Sequence, residues 1–354
     1  MKKLGLVARQ ALTIGTLGLL GSVPAASVQA QTAEVAAAPV KARAGAVPAP
    51  ARQPGEGAGP FRKMGIRGVA LIDGSGAPPG GAVGGVVENN IVTAIEAAGT
   101  PGLPLVSGRA PRDADYELDA TGMYMLPGFI DMHVHGSSDD KAPDLSYSYK
   151  LWLAHGVTTV RGVDLAPFEI SLSERARSAR NEIAAPRIFS YHRPGTGRGW
   201  TGGATTTPEK AREWVRWAAK AGIDGIKVTA DPTQPPEVLE AIYDEAQKQQ
   251  IGTVAHLSQV GVARMDAKHA GETGLGTVTH FYGHMESLLK EGPVQNWDPS
   301  YNYMDEQDRF SNVANLYRES FEPGSDEWKD YLESQKKNGV TFDPTMTIYA
   351  ASRH

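Results

Sequence analysis

With 354 residues, 41% of them hydrophobic and 21% charged, the chain can bury one large core or two smaller ones and is too apolar for a disordered protein. A formal net charge of -5 leaves no basic footprint for nucleic acid, and no polybasic or amphipathic stretch argues for a membrane surface. The absence of cysteine excludes disulfides, thiolate metal ligands and a lipid-modified cysteine, so the expected partner is a small molecule or short peptide, with oligomer formation left open.

Lys2 and Lys3 precede an apolar run from Ala11 to Leu20, and Val28-Gln29-Ala30 supplies small residues before Gln31. This pattern predicts a secretory signal peptide over 1–30, giving a secreted protein that is periplasmic in a Gram-negative source. The apolar core is too short to span a bilayer, so no stable membrane insertion is expected; an uncleaved anchor is the alternative. Residues 31–60 are rich in Ala, Pro and Gly without aromatic residues and predict a disordered linker.

Order is expected from Phe61. Short β runs at Ile66–Ile72, Gly85–Glu88 and Asn90–Ile95, separated by Gly, Pro and Asn turns, predict a small N-terminal β domain over 61–125. From Leu126 the pattern changes to apolar strands alternating with helices, as in a parallel α/β architecture with both sheet faces covered. The predicted strands are Leu126–Gly136, His155–Val163, Pro186–Tyr191, Gly225–Thr229, Gly252–His256, Gly276–His280 and Val340–Asp343. Between them, Thr207-Pro208-Glu209 starts a helix that stops at Gly222, and further helices are expected over Glu237–Gln249 and Gly261–Ala270.

The segment Leu-Pro-Gly-Phe-Ile-Asp-Met-His-Val-His-Gly, from Leu126 to Gly136, carries most of the chemistry. Side chains two apart on a strand share a face, so His133 and His135 project together near its C-terminal end. Two imidazoles make half of a metal site; alone, such a pair is more often a coincidence. In parallel barrels the C-terminal strand ends converge, and His256 and His280 end two further strands, which makes four imidazoles a plausible zinc site. Lys227, flanked by Ile226 and Val228, pays a desolvation penalty that favours the neutral amine, and such an amine can take up carbon dioxide to become a metal-bridging carbamate. The alternative is a lysine paired with a carboxylate at the barrel mouth.

Taken in order, His-x-His on the first strand, Lys on the fourth and His at the ends of the fifth and sixth resemble the amidohydrolase superfamily, specifically its imidazolonepropionase-like and Xaa-Pro dipeptidase-like group. The resemblance runs from about Phe61 to the last residue. It implies a TIM-type (β/α)8 barrel with a small N-terminal β-sandwich-like domain, and two divalent metal ions, usually zinc. His133 and His135 would hold one ion, His256 and His280 the other, with carboxylated Lys227 between them and a metal-bridging hydroxide attacking an amide or peptide carbonyl.

The chain departs from that pattern at its end. The family carries an aspartate on strand eight, whereas here only eleven residues follow Asp343. The expectation is therefore a barrel over 126–354 that is incomplete at its C-terminus, with Asp343 the nearest substitute. A non-catalytic remnant is the rival reading, and hydrolysis or deamination of a cyclic amide is a third that Lys227 argues against. Residues 285–337 form an aromatic and acidic insertion, either a lid over the mouth or a helical pair on the rim. Tyr191 and His192 are candidate catalytic groups and Arg193 a candidate substrate-carboxylate ligand, with one of the three expected to act. His284 is a candidate substrate contact, while His155 and His269 read as structural and Asp131 as a barrel-layer hydrogen-bond acceptor.

Overall fold

A computed structural model describes residues 46–100, 103–106, 113–136, 142–230, 234–303 and 305–351. The chain divides into Met1–Ala42, which lies outside the described residues together with the predicted signal peptide, and Arg43–His354, to which all that follows refers. Among the described residues no helix is long and apolar enough to cross a membrane.

Five strands build the N-terminal unit: β1 (Lys63–Leu71), β2 (Ala82–Glu88), β3 (Ile91–Ala97), β4 (Tyr116–Asp119) and β5 (Tyr124–Met125). They form one mixed sheet in the order β3-β2-β1-β4, with β5 alongside β1. Its small core gathers Ile66, Val69 and Ala120. The register of β1 against β2 shifts between Ile66 and Val69. Gly68 sits there at φ +74°, where a Cβ would come within 2.5 Å of Thr121 Oγ1, so the bulge needs glycine.

The larger unit runs β6 (Phe129–Val134), α1 (Ser146–Ala154), β7 (Val157–Val163), α2 (Phe168–Ala179), β8 (Arg187–His192), α3 (Pro208–Ala221), β9 (Gly225–Val228), α4 (Pro236–Lys248), β10 (Gly252–His256), α5 (Ala267–Glu272) and β11 (Thr277–Thr279). A 3-10 turn at Glu286–Leu288, α6 (Glu306–Glu319), α7 (Asp326–Lys337), β12 (Thr341–Asp343) and α8 (Met346–Ala351) complete it. All seven strands are parallel, in the order β12-β11-β10-β9-β8-β7-β6, a nearly closed sheet of the TIM-barrel type. The edge strand β6 leaves Phe129 and Ile130 more than half exposed.

Local chemistry explains the elements. Thr207 Oγ1 caps α3 by accepting from Lys210 N–H, Pro208 opens its first turn, and Gly222 ends it at φ +99°. Trp214, Val215 and Ala218 on α3 meet Val238, Leu239 and Ile242 on α4 and Ile226 and Val228 on β9, all fully buried. Each large apolar side chain in such a core contributes roughly 1.5 to 3 kcal/mol.

Two expectations are corrected. Of the predicted linker, residues 46–60 lie against the barrel: Ala49 is buried and donates its N–H to Glu174 Oε2 at 3.1 Å, and Val47 O accepts from Leu145 N–H. Satisfied backbone groups and a small buried side chain hold this stretch where composition alone argues for disorder. The helix expected over Gly261–Ala270 forms only as Ala267–Glu272, because the Asp266 carboxylate accepts from His269 N–H and makes Asp266 the N-cap.

Candidate active site

His133, His135, His256 and His280 come together at the C-terminal mouth of the barrel. Ring centroids lie 5.2 Å apart for His133 and His135, 4.8 Å for His133 and His280, and 4.8 Å for His256 and His280. The backbone aims them individually. His133 N–H donates to Asp131 Oδ1 at 3.0 Å, a local contact two residues along the strand and not the barrel-layer bond expected of Asp131. His280 sits at φ +66°, a left-handed turn that swings its ring inward from the end of β11, and its N–H donates to Asp343 O.

Hydroxyls orient two of the rings. Thr279 Oγ1 lies 2.7 Å from His133 Nδ1, and Thr345 Oγ1 lies 2.7 Å from His280 Nδ1. Asp343 Oδ2 is 3.5 Å from His133 Nδ1. Engagement of Nδ1 by a protein group is how metal-binding imidazoles are commonly supported.

Lys227 stands on β9 among these groups, 2% exposed, and its Nζ has no hydrogen-bond partner among the described residues. Burial first, and then the guanidinium charges of Arg193 and Arg161, push the ammonium down to about 7, against the opposing pull of Asp164 and Asp343. The four imidazoles are also driven toward their neutral forms, mainly by burial: His135 to about 4, His256 to about 3, and His133 and His280 in the same direction. Neutral imidazoles and a neutral amine without a partner are the donor chemistry a cationic group would need. As the side chains stand, no group of three or more His, Asp or Glu among the described residues is disposed to hold a metal ion. Donor type therefore fits a divalent cation, and convergence of three such side chains on one point would need the rings to adjust.

Beneath the histidines lies Arg161, which the sequence reading did not single out. Its Nε donates to Met132 O at 2.6 Å, Nη1 to Thr277 Oγ1 at 3.1 Å and Nη2 to Asp343 Oδ2 at 3.1 Å. The guanidinium carbon stands 5.4 Å from the Tyr191 ring centroid. Burial alone would raise the Asp343 carboxyl, yet His133 and Arg161 hold it below the ordinary range.

The residues after the third barrel strand do not meet at the mouth as expected. Tyr191 points into the barrel interior over the first residues of β9 and β10: a Cβ on Gly225 would lie 2.2 Å from its ring, and one on Gly252 would lie 2.1 Å from its hydroxyl. His192 alternates to the other face, packing on Phe168 of α2 at 4.7 Å with a ring nitrogen 2.9 Å from Ser190 Oγ. Neither is placed for the catalytic role assigned to it, whereas Arg193 does reach the mouth. Arg193 Nε donates to Asp164 and Nη1 to Thr229 Oγ1 at 2.5 Å. Asp164, another residue not singled out, holds a left-handed φ of +61° at the end of β7, and although burial opposes it, His192 and Arg193 keep its carboxyl below the usual range. Its φ outside the β region was the only hint of a special role, and sequence does not display it.

His284 is half-buried: its Nδ1 lies 2.5 Å from Tyr331 OH on α7, and its ring packs on Phe342. These contacts tie it to α7 and β12, a place in the packing that differs from the substrate contact expected of it. His155 caps α1 through Leu151 O, and His269 lies in α5, as structural residues do. The insertion is both a helical pair, α6 and α7, and a strap: Tyr301 OH donates to Gln259 Oε1 at 2.5 Å and Tyr303 OH lies 2.9 Å from Ser258 Oγ, in the loop that follows His256.

A family model described as the amidohydrolase family matches residues 124–308 of the chain. No curated protein matches it. Among solved structures, a Bifidobacterium longum protein described as a candidate prolidase is 24% identical, covering 62% of this chain and 55% of its own, with a TM-score of 0.46. A Xaa-Pro dipeptidase with bound methionine is 19% identical over 80% of this chain and 79% of its own, with a TM-score of 0.49. A bottromycin amidohydrolase is 23% identical over 73% of this chain and 49% of its own, with a TM-score of 0.49. The match thus spans about half the length of two of these three proteins.

Proposed function

We infer that this chain, which belongs to the amidohydrolase family, is a metal-dependent hydrolase that cleaves an amide or peptide bond of a small substrate at the cluster around Lys227. The observation that carries the reading is that amine itself: buried, without a hydrogen-bond partner among the described residues, and ringed by four imidazoles at the ends of three strands. A buried amine left unpaired costs stability, and a site that keeps one has a use for it.

His133 and His135 would hold one divalent ion and His256 and His280 a second, with zinc the choice the all-imidazole set favours, and Lys227 in its carbamate form would lie between them. Bound there, the ions would supply polarisation of the substrate carbonyl and acidification of a water molecule. The protein's own part follows from its geometry. Thr279 and Thr345 hold the His133 and His280 rings through Nδ1, which leaves each ring to be brought to a cation by its other nitrogen. Asp343, kept ionised and 3.5 Å from His133, is the carboxylate placed to accept a proton released at the site. Arg161 anchors Asp343 from below. Secretion to the periplasm is part of the same reading and is supported by the first thirty residues alone.

The test is a panel of dipeptides and N-acyl amino acids incubated with protein grown with zinc and bicarbonate, with amine release followed and metal content measured by elemental mass spectrometry. Turnover with about two ions per chain, lost in Lys227→Ala, is the expected result. Protein that holds two ions and hydrolyses nothing in the panel, or that works equally well after Lys227→Ala, would overturn the reading.

A further inference from the structure

The end of β7 meets the His-x-His segment through the backbone. Val134 pairs with Gly162 in the parallel ladder of β6 and β7, and beyond it Gly136 N–H donates to Leu165 O at 3.0 Å. A Cβ on Gly136 would lie 2.3 Å from that oxygen, so the close approach needs glycine there. Leu165, buried beside Val134 and Leu145, anchors the turn in the core. Asp164 stands immediately before it at φ +61°, a left-handed backbone that Asp and Asn adopt more readily than other side chains. All its polar groups are engaged. The N–H donates to Tyr191 O at 3.0 Å, the carboxylate accepts from Arg193 Nε and lies 3.6 Å from His192 Nδ1, and the carbonyl accepts from the His135 ring. A strand residue commits its carbonyl to the ladder, whereas a left-handed residue at the strand end breaks that alternation and offers its carbonyl to a side chain instead.

We propose that Asp164 is a positioning residue for the candidate active site: its left-handed backbone presents the carbonyl that fixes the orientation and tautomer of His135, and its carboxylate, tied to Arg193, holds that peptide in place. A neutral imidazole carries one N–H; donated to a carbonyl, it makes the second nitrogen the one with the free lone pair, which is the form a cation binds. Thr279 and Thr345 hold the His133 and His280 rings by hydroxyls, which donate or accept and so select no tautomer, whereas a carbonyl only accepts. Of these three rings, His135 is the one whose proton the protein places. The proposal rests on the hydrolase reading above, in which His135 is a metal ligand, and names a residue outside the ligand set as the one that readies it.

Two measurements on the full chain test it, one of them free of metal. In protein grown with isotope-labelled histidine, the ring nitrogens of His135, assigned in the magnetic resonance spectrum by their loss in His135→Gln, should report one locked tautomer in the metal-free wild type. Asp164→Asn, which keeps both the left-handed preference and an acceptor for Arg193, retains that tautomer. Asp164→Val, whose β-branched side chain resists a positive φ, lets it exchange. Titration with cobalt(II) alone, followed by visible absorption, should show binding weakened about 10- to 100-fold in Asp164→Val and by no more than about threefold in Asp164→Asn. A wild-type tautomer that already averages, or an Asp164→Val protein with the wild-type tautomer and cobalt affinity, overturns the positioning role. Equal weakening in both variants overturns it too, because loss of the charge would then explain the whole effect. Should Asp164→Val fail to fold, as judged by circular dichroism, Asp164→Ala, which also resists a positive φ, takes its place. A locked tautomer that Asp164→Val releases, in protein that binds no cobalt, would refute the metal-dependent reading and leave the positioning role standing. Cobalt binding and turnover that are indifferent to Asp164→Val would do the reverse.

Discussion

Lys227 is the residue on which chemistry and stability pull in opposite directions. Its folded value of about 7 lies below the 10.5 of an unfolded lysine, so between these values the unfolded chain binds a proton that the folded chain does not. The cost is full below pH 7 and disappears as the pH rises through 10.5. Burial of the amine is worth on the order of 4 kcal/mol against the fold at neutral pH. Lys227→Met should therefore raise the melting temperature of the metal-free protein by several degrees at pH 7, with the gain shrinking towards pH 10, while abolishing amide hydrolysis. Calorimetry of both proteins across that range checks it, and identical melting temperatures at pH 7 would show that the amine is not buried uncompensated. This residue and the four histidines were legible in the sequence because strand periodicity and strand ends say which side chains share the barrel mouth. Tyr191 and His192 were not, and the reason is the pleat: adjacent residues on a strand face opposite ways, so both could not serve the mouth, and packing against Gly225, Gly252 and Phe168 sent neither there. The same register carries Arg193, one residue further on, past the strand end to the rim.

At the scale of elements, the insertion between β11 and β12 is fastened at two levels. At the first, His284 in the loop after β11 meets Tyr331 on α7 and Phe342 on β12. Burial lowers its imidazole to about 4 from the ordinary 6.5, so the unfolded chain binds more protons below pH 6.5 and stability falls as the pH drops from there towards 4. His284→Leu should flatten that acid limb by about 2 to 3 kcal/mol at pH 4, read from urea unfolding at pH 7 and pH 4; an unchanged acid slope would place the titration elsewhere. Nearer the mouth, Glu286 accepts from Gln295, Trp297 Nε1 donates to Gln295 Oε1 at 2.6 Å, and the Trp297 and Tyr301 rings stack 4.5 Å apart. Loss of one stacked ring pair costs about 0.5 to 1.5 kcal/mol and falls on local opening rather than on the core. Trp297→Ala should speed hydrogen exchange over 295–303 up to roughly tenfold and leave the melting temperature nearly unchanged. Protection that stays at the wild-type level would mean the strap is held by other contacts. Neither fastening could be read from sequence, since a run of aromatic and acidic residues fits a lid or a rim helix pair equally well until its partners are known.

For the whole molecule, the unusual feature is what ties the ends of the seven-stranded sheet to one another. The order β12 through β6 leaves β6 and β12 as its two edges, unpaired with each other by backbone hydrogen bonds. Arg161 crosses that gap: from β7 it donates to Met132 O on β6, to Thr277 on β11 and to Asp343 on β12, filling the interior where a smaller side chain would leave the strands without a common partner. The fold class was legible from seven apolar runs alternating with helices, but this tie was not, because a lone arginine inside Val-Thr-Thr-Val-Arg-Gly-Val shows nothing of a contact 182 residues away. A buried guanidinium paired with a carboxylate contributes little net stability compared with a well-packed apolar pair, yet removal of one partner strands the other charge. Arg161→Met should therefore cost about 3 to 5 kcal/mol, while Arg161→Met combined with Asp343→Leu should recover a large part of that loss, even though Asp343 also faces His133. Urea unfolding of the wild type, both single variants and the double variant yields the coupling energy directly. A loss below about 1 kcal/mol in Arg161→Met, or additive losses in the double variant, would show that the barrel closes without this bridge, and that packing of α3 and α4 on β9 carries the fold by itself.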